Sequence, residues 1–288
     1  MNNDNTIIEV KGLSLAFEQK KVLDNINVTF KKGETVLIAG NNGTGKSSLL
    51  RIMAGVLFPD SGDVHIDESI SRRKIAFISD KMSLFQDYTL DQGIAFHCRV
   101  FGLESCDDSL LDELNIDRNQ KIRDLSKGER AIYHLSLLLS QKPEILLLDE
   151  IVHAIDPYLR DLFLDALIDL IDELNTTVIM VNHTFSEVGR LPERVMVMEN
   201  GRFIFDENCD VLHEKIKKVR LDSPGDKEKK LLEELPVIFQ TRSPLLQDYF
   251  IYPFKEEFTT QTNYKFQDVE LSEIIKSFIG GYYAKKRI

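Results

Sequence analysis

At 288 residues, 43% hydrophobic and 29% charged, the chain can bury a full core and reads as one large domain, or one domain plus a small appendage. Its formal net charge of −11 opposes direct attraction to nucleic-acid backbones or anionic lipid, which favour basic surfaces, so no nucleic-acid partner is expected. No window approaches the roughly 18 apolar residues of a membrane span. The start, Met1 to Asn5, has neither the basic residues nor the apolar core of a signal peptide, so a cytosolic location is expected.

Cys98, Cys106 and Cys209 are widely spaced, odd in number and lack a C-x-x-C partner, so they are expected to be reduced thiols.

Residues 6 to 39 read as β structure: Ile7 to Val10, Leu13 to Phe17, then Val22 to Phe30, where Ile26, Val28 and Phe30 share one face. This is an antiparallel sheet with Phe17 near a turn, where its ring either stacks on a planar ligand or is half-buried in the strand. The apolar run Thr35 to Ala39 follows and leads into Gly40-Asn41-Asn42-Gly43-Thr44-Gly45-Lys46-Ser47, a match to G-x-x-x-x-G-K-[ST] in the strand, loop, helix context that this motif requires. Glycines let successive N–H groups point inward, and the helix that starts near Lys46 adds unpaired donors, which makes a polyphosphate nest extending to Ser48. Lys46 would reach the β- and γ-phosphates, and the Ser47 hydroxyl would hold a Mg²⁺.

The helical pattern Leu49, Leu50, Ile52, Met53, Val56 runs to about Leu57 before the turn residues Pro59 to Gly62. Val64 and Ile66 alternate into a strand, and Lys74 to Ser79 form another that stops at Asp80. Residues 83 to 120 read as mostly helical and polar, a lobe beside the nucleotide core. Asp124-Leu125-Ser126-Lys127-Gly128-Glu129-Arg130 precedes an apolar helix, Ala131 to Ser140. Glu144 to Glu150 is a continuous apolar run that ends in two carboxylates, as expected of a parallel strand buried on both faces. Open α/β sheets bind ligands at that end, so with a phosphate loop upstream Asp149 is placed for Mg²⁺ and Glu150 for orienting an attacking water. The competing reading is a strand that simply exits into solvent. An amphipathic helix over Leu159 to Leu174 and a buried strand, Thr176 to Val181, lead to His183, which either bonds a terminal phosphate or lies in a surface loop. Asn200-Gly201 marks a two-residue hairpin that closes the main domain near residue 210.

Together these pieces resemble the ATP-binding cassette of ABC transporters over roughly residues 5 to 210. The resemblance implies the fold of that family: an α/β P-loop NTPase core with a mixed, largely parallel sheet, an antiparallel β subdomain and a helical lobe at about 81–140. It implies that Phe17 stacks on adenine, that Ser126 and Gly128 form the signature segment, that Ala154-Ile155-Asp156 corresponds to the D-loop, and that His183 is the switch histidine. ATP and Mg²⁺ are the implied cofactors. The implied partners are a second cassette, whose signature would complete this chain's ATP site, and separate transmembrane permease subunits, so that membrane contact is indirect and the cytoplasmic face is the implied location.

The helical lobe and the tail look most like ATPase subunits of exporter-type systems. Two departures stand out: Asp80 occupies the usual place of a glutamine that links Mg²⁺ to the lobe, and Lys127 and Glu129 replace the usual glycine and glutamine of the signature. Asp80 either keeps the coupling role with altered metal dependence or is a loop residue. Lys127 either adds charge toward a phosphate or faces solvent. Phe85, Tyr88, Phe96 and Phe101 are candidates for docking a permease, with core packing the expected fate of most. Residues 211 to 288 carry 14 Lys and Arg against 12 Asp and Glu and read as a small appendage, regulatory, dimer-forming or a lid on the main domain. A soluble cassette that regulates a ribosome- or DNA-associated process is the alternative function.

Overall fold

The computed structural model describes residues 5–79, 85–151, 155–182, 188, 191–222, 232, 234–240, 246–262, 264–270 and 272–274. Strand β1 (Thr6–Phe17) pairs antiparallel with β2 (Lys20–Lys31) on one side and with β4 (Ser61–Ile66) on the other, giving the three-stranded sheet β2-β1-β4. The two apolar runs expected before residue 18 are thus one strand, whose register shifts between Val10 and Leu13.

The main sheet has the order β5-β6-β7-β3-β8-β9, with β3 (Thr35–Ala39), β5 (Ile75–Ser79), β6 (Ile145–Asp149), β7 (Thr177–Val181), β8 (Arg194–Glu199) and β9 (Arg202–Asn208). Its strand pairs are parallel except for the β8–β9 hairpin. That hairpin turns at Asn200 and Gly201, both at positive φ. The continuous apolar runs have a simple cause. Leu37, Leu146, Leu148, Val178 and Met180 enter the core on one face, while Val36, Ile38, Ile145, Leu147 and Ile179 enter the core on the other. Helices α4 (Lys127–Gln141) and α5 (Pro157–Leu174) cover the first face. Helix α1 (Lys46–Met53) and the antiparallel sheet cover the second.

Helix α1 ends four residues before the expected Leu57. Gly55 turns left-handed at φ 74, Val56 N–H bonds back to the Arg51 carbonyl, and Val56 is left 63% exposed. Within 83 to 120 the described helices are α2 (Leu90–Phe101) and α3 (Ser109–Glu113), which pack on α4 around Leu90, Leu111, Ile122, Leu125, Tyr133 and Leu137.

Two of the three cysteines, widely spaced in sequence, come together in the fold. Cys98 and Cys106 lie within disulfide-forming reach, with Cα atoms 6.2 Å apart, while Cys209 is free. The left-handed Gly102 that caps α2 turns the chain back alongside the helix, and a spacing of eight residues carries no sign of that return. The tail contributes α6 (Cys209–Lys215), α7 (Glu257–Gln261) and a four-stranded antiparallel sheet, β11-β12-β10-β13. Its strands are β10 (Lys217–Asp222), β11 (Val237–Gln240), β12 (Leu246–Ile251) and β13 (Phe266–Asp268). Ile216, Ile238, Phe250 and Ile274 join the core under the main sheet, while Val219, Tyr249 and Ile251 face a smaller core of the tail's own. No helix among the described residues is long and apolar enough to cross a membrane.

Candidate functional site

The phosphate loop leaves the C-terminal end of β3, the strand between β7 and β8. Its turns need residues without a side chain. A Cβ at Gly40 would lie 2.3 Å from the Met198 carbonyl oxygen, and one at Gly45, φ 106, would lie 2.5 Å from that of Val22. Gly45 is the N-cap of α1 and offers no side-chain bond, so the first turn's N–H groups are left uncapped by any side chain. Asn41, Asn42 and Gly43 are exposed, and the Thr44 hydroxyl donates to the Asn41 carbonyl at 2.9 Å.

Lys46 is only 3% exposed, and its ammonium donates to the carbonyls of Gly40 and Asn41, each at 2.9 Å. Burial lowers its pKa, and the negative fields of Glu150 and Asp149 oppose that shift. Ser47 lies next on the helix, and its Oγ donates to Asp149 Oδ1 at 2.6 Å. Two residues separated by 102 positions, each read from sequence as a Mg²⁺ ligand, are thereby brought into contact. A hydroxyl and a carboxylate are hard oxygen donors, so the pair suits Mg²⁺. Ser48 is half-buried in the same turn.

Asp149 ends β6 at 2% exposure, in register with Ser79 on one side and Val181 on the other. The next residue, Glu150, adopts φ 55, uncommon for a residue with a side chain, while its N–H bonds to the Val181 carbonyl at 3.1 Å. One residue that the sequence reading missed also reaches this point: Arg51 Nη2 lies 3.5 Å from Asp149 Oδ2. Its only signal in the sequence is its place four residues after Ser47.

Phe17 stands at the tip of the β1–β2 hairpin, 50% exposed. That exposure fits both stacking on a planar ligand and the half-buried reading, and the same hairpin approaches the phosphate loop through Val22. Ser126 is the N-cap of α4 in a closed capping box: its Oγ accepts the Glu129 N–H at 3.2 Å and Glu129 Oε2 accepts the Ser126 N–H at 2.8 Å. Lys127 is exposed, and Gly128 is buried against Leu159, Asp156 and Ile155 rather than against the phosphate loop. Asp156 caps α5 by accepting the Leu159 N–H at 3.2 Å. Asp80, Ala154 and His183 lie outside the described residues.

In the helical lobe the expectation of core packing fails for three aromatic residues of four. Phe85, Tyr88 and Phe96 are exposed and form one cluster, with ring centroids 4.8 Å apart for Phe85–Tyr88 and 4.6 Å for Phe85–Phe96. Beside them is a cavity of about 220 Å³ lined by Phe85, Phe96, Phe101, His97 and Tyr133.

The family described as ABC transporter matches residues 23–153. The chain is 31% identical over 224 residues to the energy-coupling factor transporter ATP-binding protein EcfA2 of Clostridium tetani, covering 69% of this chain and 78% of that protein. It is 31% identical over 208 residues to the aliphatic sulfonates import ATP-binding protein SsuB 1 of Nocardia farcinica, covering 72% and 83%. The solved dimeric structure of a bacterial ABC transporter cassette superposes with a TM-score of 0.62 at 24% identity, covering 70% of this chain and 98% of that one.

Proposed function

The chain belongs to the ABC transporter ATP-binding family as an ATP-hydrolysing subunit, and from that premise we propose how its residues divide the work. The N–H groups from Gly40 to Ser48 and the Lys46 ammonium hold the phosphates, with Lys46 exchanging its two loop carbonyls for phosphate oxygens. Ser47 and Asp149 hold Mg²⁺, with Asp80 as a third candidate ligand. When bound, the metal neutralises charge on the β- and γ-phosphates. Glu150 orients the attacking water and accepts its proton, while His183 bonds the γ-phosphate. Phe17 stacks on adenine. Ser126 and Gly128 complete the ATP site of a second copy, for which the exposed N-terminus of α4 is suited.

The observation that carries this reading is the 2.6 Å contact between Ser47 and Asp149 beside a buried lysine ammonium. The relatives are named as transporter subunits, which does not favour a ribosome- or DNA-directed regulator. The import named for one of them lends no support to the exporter-type resemblance. Permease subunits, separate chains, dock on the exposed Phe85–Tyr88–Phe96 cluster and hold the cassette at the cytoplasmic face of the membrane. Residues 1–210 form the ATP-binding unit and 211–288 an appendage, for which the shared core at Ile238 and Phe250 supports a role as a lid on the main sheet.

Glu150→Gln tests the assignment. Light scattering after size exclusion should show the variant as a stable dimer with ATP, with hydrolysis reduced at least 100-fold, while the parent chain stays mostly monomeric. Unchanged turnover in the variant removes Glu150 from the reaction.

A further inference from the structure

We infer that Arg51 is a positioning residue for the metal carboxylate: from one turn behind Ser47 on α1 it holds the outer oxygen of Asp149 and so turns the inner oxygen toward the phosphate loop. The inference rests on the reading of Ser47 and Asp149 as the Mg²⁺ pair.

Residues four apart on a helix share a face, so Ser47 and Arg51 both look onto the end of β6. Both reach its carboxylate, Ser47 Oγ at 2.6 Å from Oδ1 and Arg51 Nη2 at 3.5 Å from Oδ2. The terminal torsion of an aspartate has broad wells, so a carboxylate fixed through one oxygen can still swing. Two partners on one rigid helix, a hydrogen bond on one oxygen and an ion pair on the other, restrict that swing. The Asp149 side chain is 3% exposed and that of Arg51 36%. The buried acid is therefore oriented, while the guanidinium keeps part of its hydration.

Two effects oppose each other when a cation arrives. The guanidinium repels Mg²⁺, but its exposure to solvent screens that repulsion. Loss of orientation acts on the ligand atom itself, and partners that orient metal-binding carboxylates typically alter metal affinity by roughly 10–100-fold. Orientation wins, and removal of Arg51 weakens the metal-dependent part of nucleotide binding.

The test uses the full chain and a fluorescent, non-hydrolysable ATP analogue, with Kd measured in EDTA and again in excess Mg²⁺. The parent chain should bind more tightly with Mg²⁺. In Arg51→Met the Kd in EDTA should stay within twofold of the parent, while the tightening by Mg²⁺ falls at least fivefold, and Arg51→Lys should recover part of it. In an Asp149→Asn background, Arg51→Met should add nothing. Unchanged or greater tightening in a folded Arg51→Met chain overturns the inference. So does an equal loss of affinity in EDTA, which would make Arg51 a phosphate ligand. If Arg51→Met does not fold, Arg51→Gln is read against the same outcomes. A parent chain that Mg²⁺ does not tighten refutes the metal pair itself, a result that involves no change at Arg51.

Discussion

Glu129 stands where the resembling family most often has glutamine, and its carboxylate closes the capping box on Ser126. A glutamine accepts the same Ser126 N–H through its amide oxygen. Glu129→Gln should therefore keep the melting temperature within about 2 °C while removing one negative charge from a helix start proposed to meet phosphate, so ATP-dependent dimers should be equally or more stable. Glu129→Ala should cost about 1 kcal/mol, read by thermal unfolding. Gly128 is constrained differently, since a Cβ there would lie 2.6 Å from Leu159 Cδ1. Gly128→Ala should cost roughly 1–3 kcal/mol, and a double-mutant cycle with Leu159→Ala should return about 1 kcal/mol as coupling. The strand, loop and helix around Lys46 and the place of Asp149 at the end of a buried strand were legible from spacing and apolar pattern, whereas Ser126 stood out only through the family resemblance. Arg51 was not legible, because an arginine on a helix reads as a solvated charge until the fold places an acid beside it.

Helix α4 carries a polar face into the protein interior. His134 Nε2 and Arg130 Nε are buried and, among the described residues, without hydrogen-bond partners, as is His97 Nε2 on α2. Burial, and then the charges of Arg130 and His97, push His134 down to about 4 from its ordinary 6.5. An imidazole held neutral in the fold but free to take a proton when unfolded makes the unfolded state bind more protons below pH 6.5. Its contribution to stability is therefore intact above pH 6.5, declines as pH falls from 6.5 to about 4, and then levels off. The loss through that window is roughly 3 kcal/mol. His134→Met should flatten the fall in melting temperature between pH 6.5 and 4; an equally steep fall in the variant would place the acid sensitivity elsewhere. The buried strands were legible at this scale because both faces demand apolar residues. The helical lobe was less so, since its core needs only a few apolar positions per short helix and its exposed aromatics look the same in sequence as buried ones.

Two copies that close around nucleotide bring together two chains of formal charge −11 each. The contacts proposed to hold them, the Ser126 hydroxyl, the α4 N-terminus and the phosphates, act within a few ångströms, whereas the repulsion between the net charges acts over tens. Salt separates the two ranges. The screening length falls from about 30 Å at 0.01 M to about 8 Å at 0.15 M, which removes most of the long-range repulsion and leaves hydrogen bonds at contact distance largely intact. The dimer of Glu150→Gln with ATP should accordingly strengthen several-fold as NaCl rises from 0.01 to 0.15 M, measured by analytical ultracentrifugation at fixed Mg²⁺ and nucleotide. An interface held instead by exposed ion pairs would weaken over the same range. The sign of the salt effect thus decides whether the chain's acidity opposes its pairing, leaving closure to the triphosphates.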